Sequence, residues 1–113
     1  MALTHAASGD LLDIRPLGPA LPAAKSRTLV QSPSLEIFRM VLPAGKTVAP
    51  HRVPGAITVQ CLEGAIEFEA HGRSNVMRAG HLIYLEPRAV HALKAVEDSS
   101  VLVTLVHAAE RAA

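Results

Sequence analysis

Short apolar runs separated by turn residues are the feature that most restricts the fold of this chain. In residues 57–62 apolar and polar side chains alternate, and in residues 65–70 Ile66 and Phe68 alternate with two glutamates. A two-residue period is typical of half-buried strands, and turns at intervals of about 8–12 residues are typical of all-β folds. The predicted strands are 28–32, 35–42, 57–62, 65–70, 75–78, 82–85, 90–96 and 101–107. The pattern therefore predicts an all-β sandwich or barrel.

The length and the composition predict one domain preceded by an extended arm. The chain has 113 residues, half of them apolar, which suffices for one modest core. Residues 1–27 are rich in alanine and glycine and contain Pro16, Pro19 and Pro22, a density of proline that prevents a long helix. We interpret residues 1–27 as an arm, residues 28–108 as the barrel and residues 109–113 as a short tail, with a final helical turn as an option at 108–113.

Charge and cysteine content argue against several classes of partner. The formal charge is +1 and the basic residues are scattered, whereas nucleic-acid binding needs a stripe of lysine and arginine. No apolar run approaches the roughly 18 residues of a membrane span, and the N-terminus lacks the pattern of a signal peptide. Cys61 is the single cysteine and has no partner for an intramolecular disulfide. We expect a cytoplasmic protein that binds neither nucleic acid nor a membrane.

Two related blocks each combine a glycine turn, a strand and a histidine. In the first, Gly45, His51 and Gly64 have the spacing of the pattern G-x5-H-x-H-x3-E-x6-G, with Val53 at its second histidine and Ile57 at its glutamate. This pattern is the first signature motif of the cupin superfamily, which the block resembles.

The second block resembles the second cupin motif, G-x5-P-x-G-x2-H-x3-N. Gly80 and His91 match it, while Glu86, Arg88 and Ala95 stand at its proline, glycine and asparagine. The resemblance covers about residues 35–107. It implies a small double-stranded β-helix, the jelly-roll barrel of cupins.

The resemblance also implies a metal centre, of which this chain keeps only part. Metal-bearing cupins hold a divalent ion with three histidines and one carboxylate. His51 and His91 occupy two of these positions, but Val53 and Ile57 have no lone pair to donate. Two imidazoles are fewer than the three protein ligands usual at a catalytic zinc. We therefore expect no metal cofactor, and the alternative is an iron, manganese, nickel or zinc site that uses His51 and His91.

Three functions remain open at this point. The first is a barrel that binds a small, mostly apolar molecule in its cavity. The second is a metal-dependent dioxygenase or isomerase with a remodelled site, or a metal-free isomerase, with His51 and His91 as the catalytic candidates. The third is a structural or interaction domain with an inert barrel. The predicted ligand pocket consists of His51, Val53, Ile57, Val59, Tyr84 and His91.

Two further features concern assembly and anion binding. We expect a homodimer, because unpaired strand edges invite pairing and the proline-rich arm can lie across a partner subunit. Arg52 and Arg88 follow turn-like residues at the two motifs. Their guanidinium groups suit a carboxylate or phosphate, and the alternative is that both are ordinary solvated arginines.

Overall fold

The computed structural model describes residues 5–107, which form nine strands and one short 3₁₀ helix. The helix spans Gly18–Ala23. The strands are β1 (Arg27–Gln31), β2 (Leu35–Leu42), β3 (Thr47–His51), β4 (Ile57–Glu63), β5 (Ala65–Ala70), β6 (Arg73–Arg78), β7 (Leu82–Leu85), β8 (His91–Ala95) and β9 (Ser99–Val106).

The strands form two antiparallel sheets. The larger sheet has the order β1-β2-β9-β4-β7, and the smaller has the order β3-β8-β5-β6. Both sheets pair strands that are distant in sequence, so the connections cross between the sheets repeatedly. This arrangement confirms the all-β, jelly-roll prediction.

The core lies between the two sheets and consists of side chains at alternate strand positions. Phe68 and Ile66 of β5 are fully buried, and Val59 of β4 and Val103 of β9 are each 2% exposed. Full burial of a side chain of this size contributes about 1.5–3 kcal/mol to the stability of the folded state. The alternation that predicted these strands therefore also identifies their buried faces.

Strand β3 was missing from the predicted strands. It lies at the edge of the smaller sheet, where only Val48 of its five residues is even half-buried. Its pairing with β8 is irregular between Val48 and His51, the interval that contains Pro50. Proline is tolerated at a sheet edge because its missing N–H need not join the ladder. An exposed, proline-containing strand has no apolar alternation, and the sequence pattern could not reveal it.

The arm packs on its own chain across the outer face of the larger sheet. The Ala6 N–H donates to the Leu29 carbonyl oxygen at 2.9 Å, and Leu21 of the 3₁₀ helix is 7% exposed.

The predicted tail 109–113 and the optional turn at 108–113 lie outside the described residues. None of the helical structure in residues 5–107 is long and apolar enough to cross a membrane.

A polar network fastens the arm to the sheet. The Glu63 carboxylate accepts hydrogen bonds from the N–H groups of Leu17 and Gly18 and from the Ser100 hydroxyl, and it lies 3.6 Å from the Arg39 guanidinium. Arg39 in turn donates to the Arg15 carbonyl oxygen. Burial raises the pKa of Glu63, but the three hydrogen bonds and the Arg39 charge together outweigh it, so that this pKa lies below its ordinary value. Glu63 is thus ionised at neutral pH and holds the arm in place.

Gly64 makes the tightest backbone approach among the glycines described. It has φ 84°, in the left-handed region, and a Cβ at this position would collide with the Asp98 carbonyl oxygen and with Ser99. Gly72 also has a positive φ, 71°, but has open space around it. The turn after β4 therefore requires glycine for two separate reasons.

We expect Gly64→Ala to destabilise the protein strongly and Gly72→Ala to do so mildly. The left-handed backbone costs about 1–2 kcal/mol in either variant. The steric overlap adds about 1–3 kcal/mol in Gly64→Ala alone. Urea unfolding of the two variants and the wild type measures the difference, and equal losses of stability would contradict the close packing at Gly64.

Candidate functional site

The two motif histidines meet at the open end of the barrel. His51 ends β3 and His91 begins β8, and the two residues are partners in the antiparallel register. Their ring centroids lie 4.2 Å apart with the planes inclined at 56°. His51 is exposed, whereas His91 is only 3% exposed. The sequence named both residues, and the structure brings them into contact.

Both imidazole rings are oriented by the backbone. The Nδ1 atom of His51 lies 3.1 Å from the Ala49 carbonyl oxygen, and Nδ1 of His91 lies 3.1 Å from the Ala89 carbonyl oxygen. Since a carbonyl oxygen only accepts, each Nδ1 must carry the proton and donate. In the neutral rings both Nε2 atoms then carry a lone pair, and neither has a hydrogen-bond partner in residues 5–107. The site thus offers two adjacent acceptors.

The buried position of His91 keeps its ring neutral. Burial lowers the pKa of His91, the bond to Ala89 partly offsets this, and the charge of a protonated His51 lowers the pKa further. Phe68 stacks on the His91 ring with centroids 5.7 Å apart and planes 5° from parallel. The core itself therefore supports the inner wall of the site.

The structure corrects the prediction that Tyr84 lines the pocket. Tyr84 is 64% exposed and is the register partner of Thr58, on the outer face of the larger sheet. Its neighbours Ile83 and Leu85 face inward instead. All four residues of β7 are apolar, so the sequence carried no alternation from which to tell its two faces.

The other predicted pocket residues separate into two groups. Ile57 and Val59 point inward as expected, but they are 6% and 2% exposed and belong to the packed core. Val53 is half-buried and lines a cavity of about 280 Å³ with Arg52, Pro54 and Arg88. His91 lines a second cavity, of about 390 Å³. The accessible space next to Val53 and His91 therefore lies at the mouth of the barrel, above the buried Ile57 and Val59.

The second cavity contains polar residues that sequence reasoning had not connected with the site. It lies where β5 turns into β6 beside the start of β8. Its lining consists of Pro50, Glu69, Ala70, His71, Gly72, Arg73, Ser74, Val90, His91 and Ala92. A turn pair such as His71-Gly72 has the same sequence pattern whether it borders a cavity or faces solvent. Only the pairing of β5 with β8 places it near His91.

Comparisons with known proteins identify the family of the chain. The family model of the cupin domain matches residues 38–107. The chain belongs to the cupin family. No curated protein matches the sequence.

Solved structures of other proteins share this architecture. A conserved protein of unknown function from Streptococcus pyogenes is 26% identical with a TM-score of 0.73, and the match covers 97% of this chain and 100% of that one. A cupin superfamily protein from Desulfitobacterium hafniense is 17% identical with a TM-score of 0.73, and the match covers 87% and 95% of the two chains. A DMSP lyase from Ruegeria pomeroyi is 22% identical with a TM-score of 0.68, and the match covers 77% of this chain and 48% of that one. Identities this low in the last two show a shared fold only.

The side chains of this cupin do not fit the four-ligand metal centre of its family. His51 and His91 supply two nitrogen donors, while the other two positions hold Val53 and Ile57. Within residues 5–107 no cluster of three or more histidine, cysteine, aspartate or glutamate residues has the geometry to hold a metal ion. Two imidazoles without an anion leave the charge of a divalent ion poorly compensated beside apolar side chains.

We expect acidification to destabilise this cupin through His91. In the unfolded chain the ring titrates near its ordinary pKa of about 6.5, and in the folded protein its pKa is lower. Between the two values the unfolded state binds more protons, so stability is lost as the pH falls through this window. Urea unfolding between about pH 7 and pH 5 should show this loss in the wild type. The loss should be smaller in His91→Asn.

Imidazole NMR provides a direct check of the same prediction. Nitrogen shifts should show His91 as the Nδ1–H tautomer, with a pKa that moves toward its ordinary value in His51→Asn. A His91 ring that titrates at or above its ordinary pKa would contradict the predicted desolvation.

Proposed function

We propose that this cupin binds a small, mostly apolar molecule at the mouth of its barrel. The observation that supports this most is the pair of imidazole rings, 4.2 Å apart between centroids, whose Nδ1 hydrogen bonds leave both Nε2 atoms free to accept. Apolar surface with a few oriented polar groups is the usual character of a small-molecule site. A small ligand also suits a chain whose basic residues form no stripe for nucleic acid.

The apolar replacements explain why binding suits the site better than metal chemistry. Val53 and Ile57 stand where a metal-bearing cupin has a histidine and a carboxylate. Val53, which is half-buried and lines a cavity, offers apolar surface to a ligand, whereas Ile57 extends the packed core below it. A hydroxyl or N–H on that ligand would donate to the free Nε2 atom of His51 or of His91.

Two other functions follow from specific observations. The closely packed core around Ile57, Val59 and Phe68 favours an inert structural barrel. A neutral His91 beside a solvent-exposed His51 favours an acid-base enzyme, since the two rings differ in environment. The experiment below distinguishes the inert barrel from binding.

Phenol is a suitable probe because it combines an apolar ring with one hydroxyl donor. We expect phenol to shift the imidazole resonances of His51 and His91 in a titration followed by NMR. Since phenol has one O–H to donate, at least one of His51→Ala and His91→Ala should weaken the binding by about fivefold or more, the loss of roughly one hydrogen bond. His5→Ala, on the exposed arm, is the control and should bind phenol like the wild type.

Other results would favour the alternatives. The absence of any shift at the two rings would support the inert barrel. Stoichiometric iron, manganese, nickel or zinc in the purified protein, lost in His51→Ala or His91→Ala, would support the metal-dependent enzyme and contradict the binding proposal.

We also propose that the protein is a cytoplasmic homodimer. Strand β7 is an edge of the larger sheet and exposes Leu82 and Tyr84, which are 62% and 64% accessible. An unpaired edge with large apolar side chains favours association with a second copy. The single cysteine, Cys61, is buried and free, which suits a reducing compartment.

Light scattering at micromolar concentration tests the dimer. The wild type should have twice the mass of one chain, and Leu82→Lys or Tyr84→Lys should shift it to the monomer by placing a charge in the contact. Val96→Lys changes a residue of similar exposure, 54%, in the turn after β8 and should leave the dimer intact. A wild-type mass of one chain would contradict the proposal.

A further inference from the structure

Two arginines from separate loops share one cavity at the mouth of the barrel. Arg52 lies in the loop between β3 and β4, and Arg88 lies in the loop between β7 and β8. Together with Val53 and Pro54 they line a cavity of about 280 Å³. Distant parts of the sequence thus bring two arginines to the lining of one cavity.

The two loops are held together by the backbone. The Arg88 N–H donates to the Val53 carbonyl oxygen at 2.9 Å. Arg88 itself has φ 67°, a left-handed conformation that non-glycine residues rarely adopt. The Ala89 N–H closes the turn on the Glu86 carbonyl oxygen at 3.3 Å. The backbone of Arg88 is therefore fixed by a constrained turn and joined to the first loop at Val53.

Neither arginine has an acidic partner within the part of the chain that the structure describes. The ion pairs in residues 5–107 join Arg15 to Asp13 and Arg39 to Glu63. Glu86 lies on the same turn as Arg88 but forms no ion pair with it. Two neighbouring cations without a counter-charge repel each other, and an anion between them would relieve that repulsion.

Each arginine is close in sequence to the histidine pair. Arg52 directly follows His51 in the chain. Arg88 precedes Ala89, whose carbonyl oxygen accepts the His91 Nδ1–H bond. The lining of the arginine cavity contains neither histidine, so the backbone is what connects the two features.

We propose that Arg52 and Arg88 bind the anionic group of the ligand, a carboxylate or a phosphate monoester. Guanidinium groups bind the oxygens of either anion in a bidentate manner, and Val53 and Pro54 supply an apolar contact for the adjoining carbon atoms. This inference rests on the proposed function, since it assigns a chemical class to the ligand of the same site. The ligand is then a small amphiphilic acid with its charge on the arginines and its body beside the imidazoles.

The experiment compares three aromatic probes at low ionic strength. Benzoate and phenyl phosphate carry the two candidate anions, and benzyl alcohol is the neutral control. Amide resonances of Arg52, Val53 and Arg88 should shift with at least one anion. Arg52→Gln and Arg88→Gln should each weaken that binding by about fivefold or more, because a charge-assisted hydrogen bond is lost. Arg78→Gln, an exposed arginine on β6, is the matched control and should not change it.

Several results would overturn the anion site. Unchanged anion affinity in both Arg52→Gln and Arg88→Gln would do so, as would an affinity for both benzoate and phenyl phosphate no higher than that for benzyl alcohol. No shift with either anion up to about 50 mM, the weak limit for a specific site, would also refute it. If phenol still binds through His51 and His91 in that case, the proposed function survives without the anion site. Anion binding that depends on the arginines, with no phenol binding, would instead leave the arginine site standing alone.

Discussion

The packing of the two sheets around Phe68 is the interaction on which the rest of the structure depends. Phe68 is fully buried between the sheets, and its ring stacks on His91. The same side chain thus fills the barrel and supports the inner wall of the candidate site. Because protein interiors are close-packed, a core built in this way leaves its accessible space at the mouth. The accessible residues of the candidate site accordingly lie in the loops and in the edge strand β3.

The apolar residues at two of the family's ligand positions determine which polar groups the site has. Val53 and Ile57 remove a donor nitrogen and a carboxylate, so that His51 and His91 remain, each oriented by a hydrogen bond to a backbone carbonyl oxygen. A buried imidazole resists protonation because the charged form loses its hydration. The arginines of the two adjoining loops carry the positive charge that the site otherwise lacks. Together with Val53, these groups are the basis of the binding proposed above.

The sequence pattern predicts some strands better than others, and the difference has a physical reason. Strands β2, β5 and β7 begin and end where the pattern predicted, because apolar runs there are bounded by glycine, proline or turn residues. Strand β3 was missed because an edge strand with one half-buried residue has no apolar period. Tyr84 was placed on the wrong face because every residue of β7 is apolar, and only its pairing with Thr58 determines which side it takes.

The sequence by itself determined the all-β class, the cupin motifs and the two histidines, since alternation and turn residues are local properties of the chain. The tertiary structure decided which of those residues meet. The register of β3 with β8 brings His51 and His91 into contact, and the hydrogen bond from Arg88 to Val53 joins two loops into one cavity. Such contacts depend on the pairing of distant strands, and no local pattern encodes that pairing.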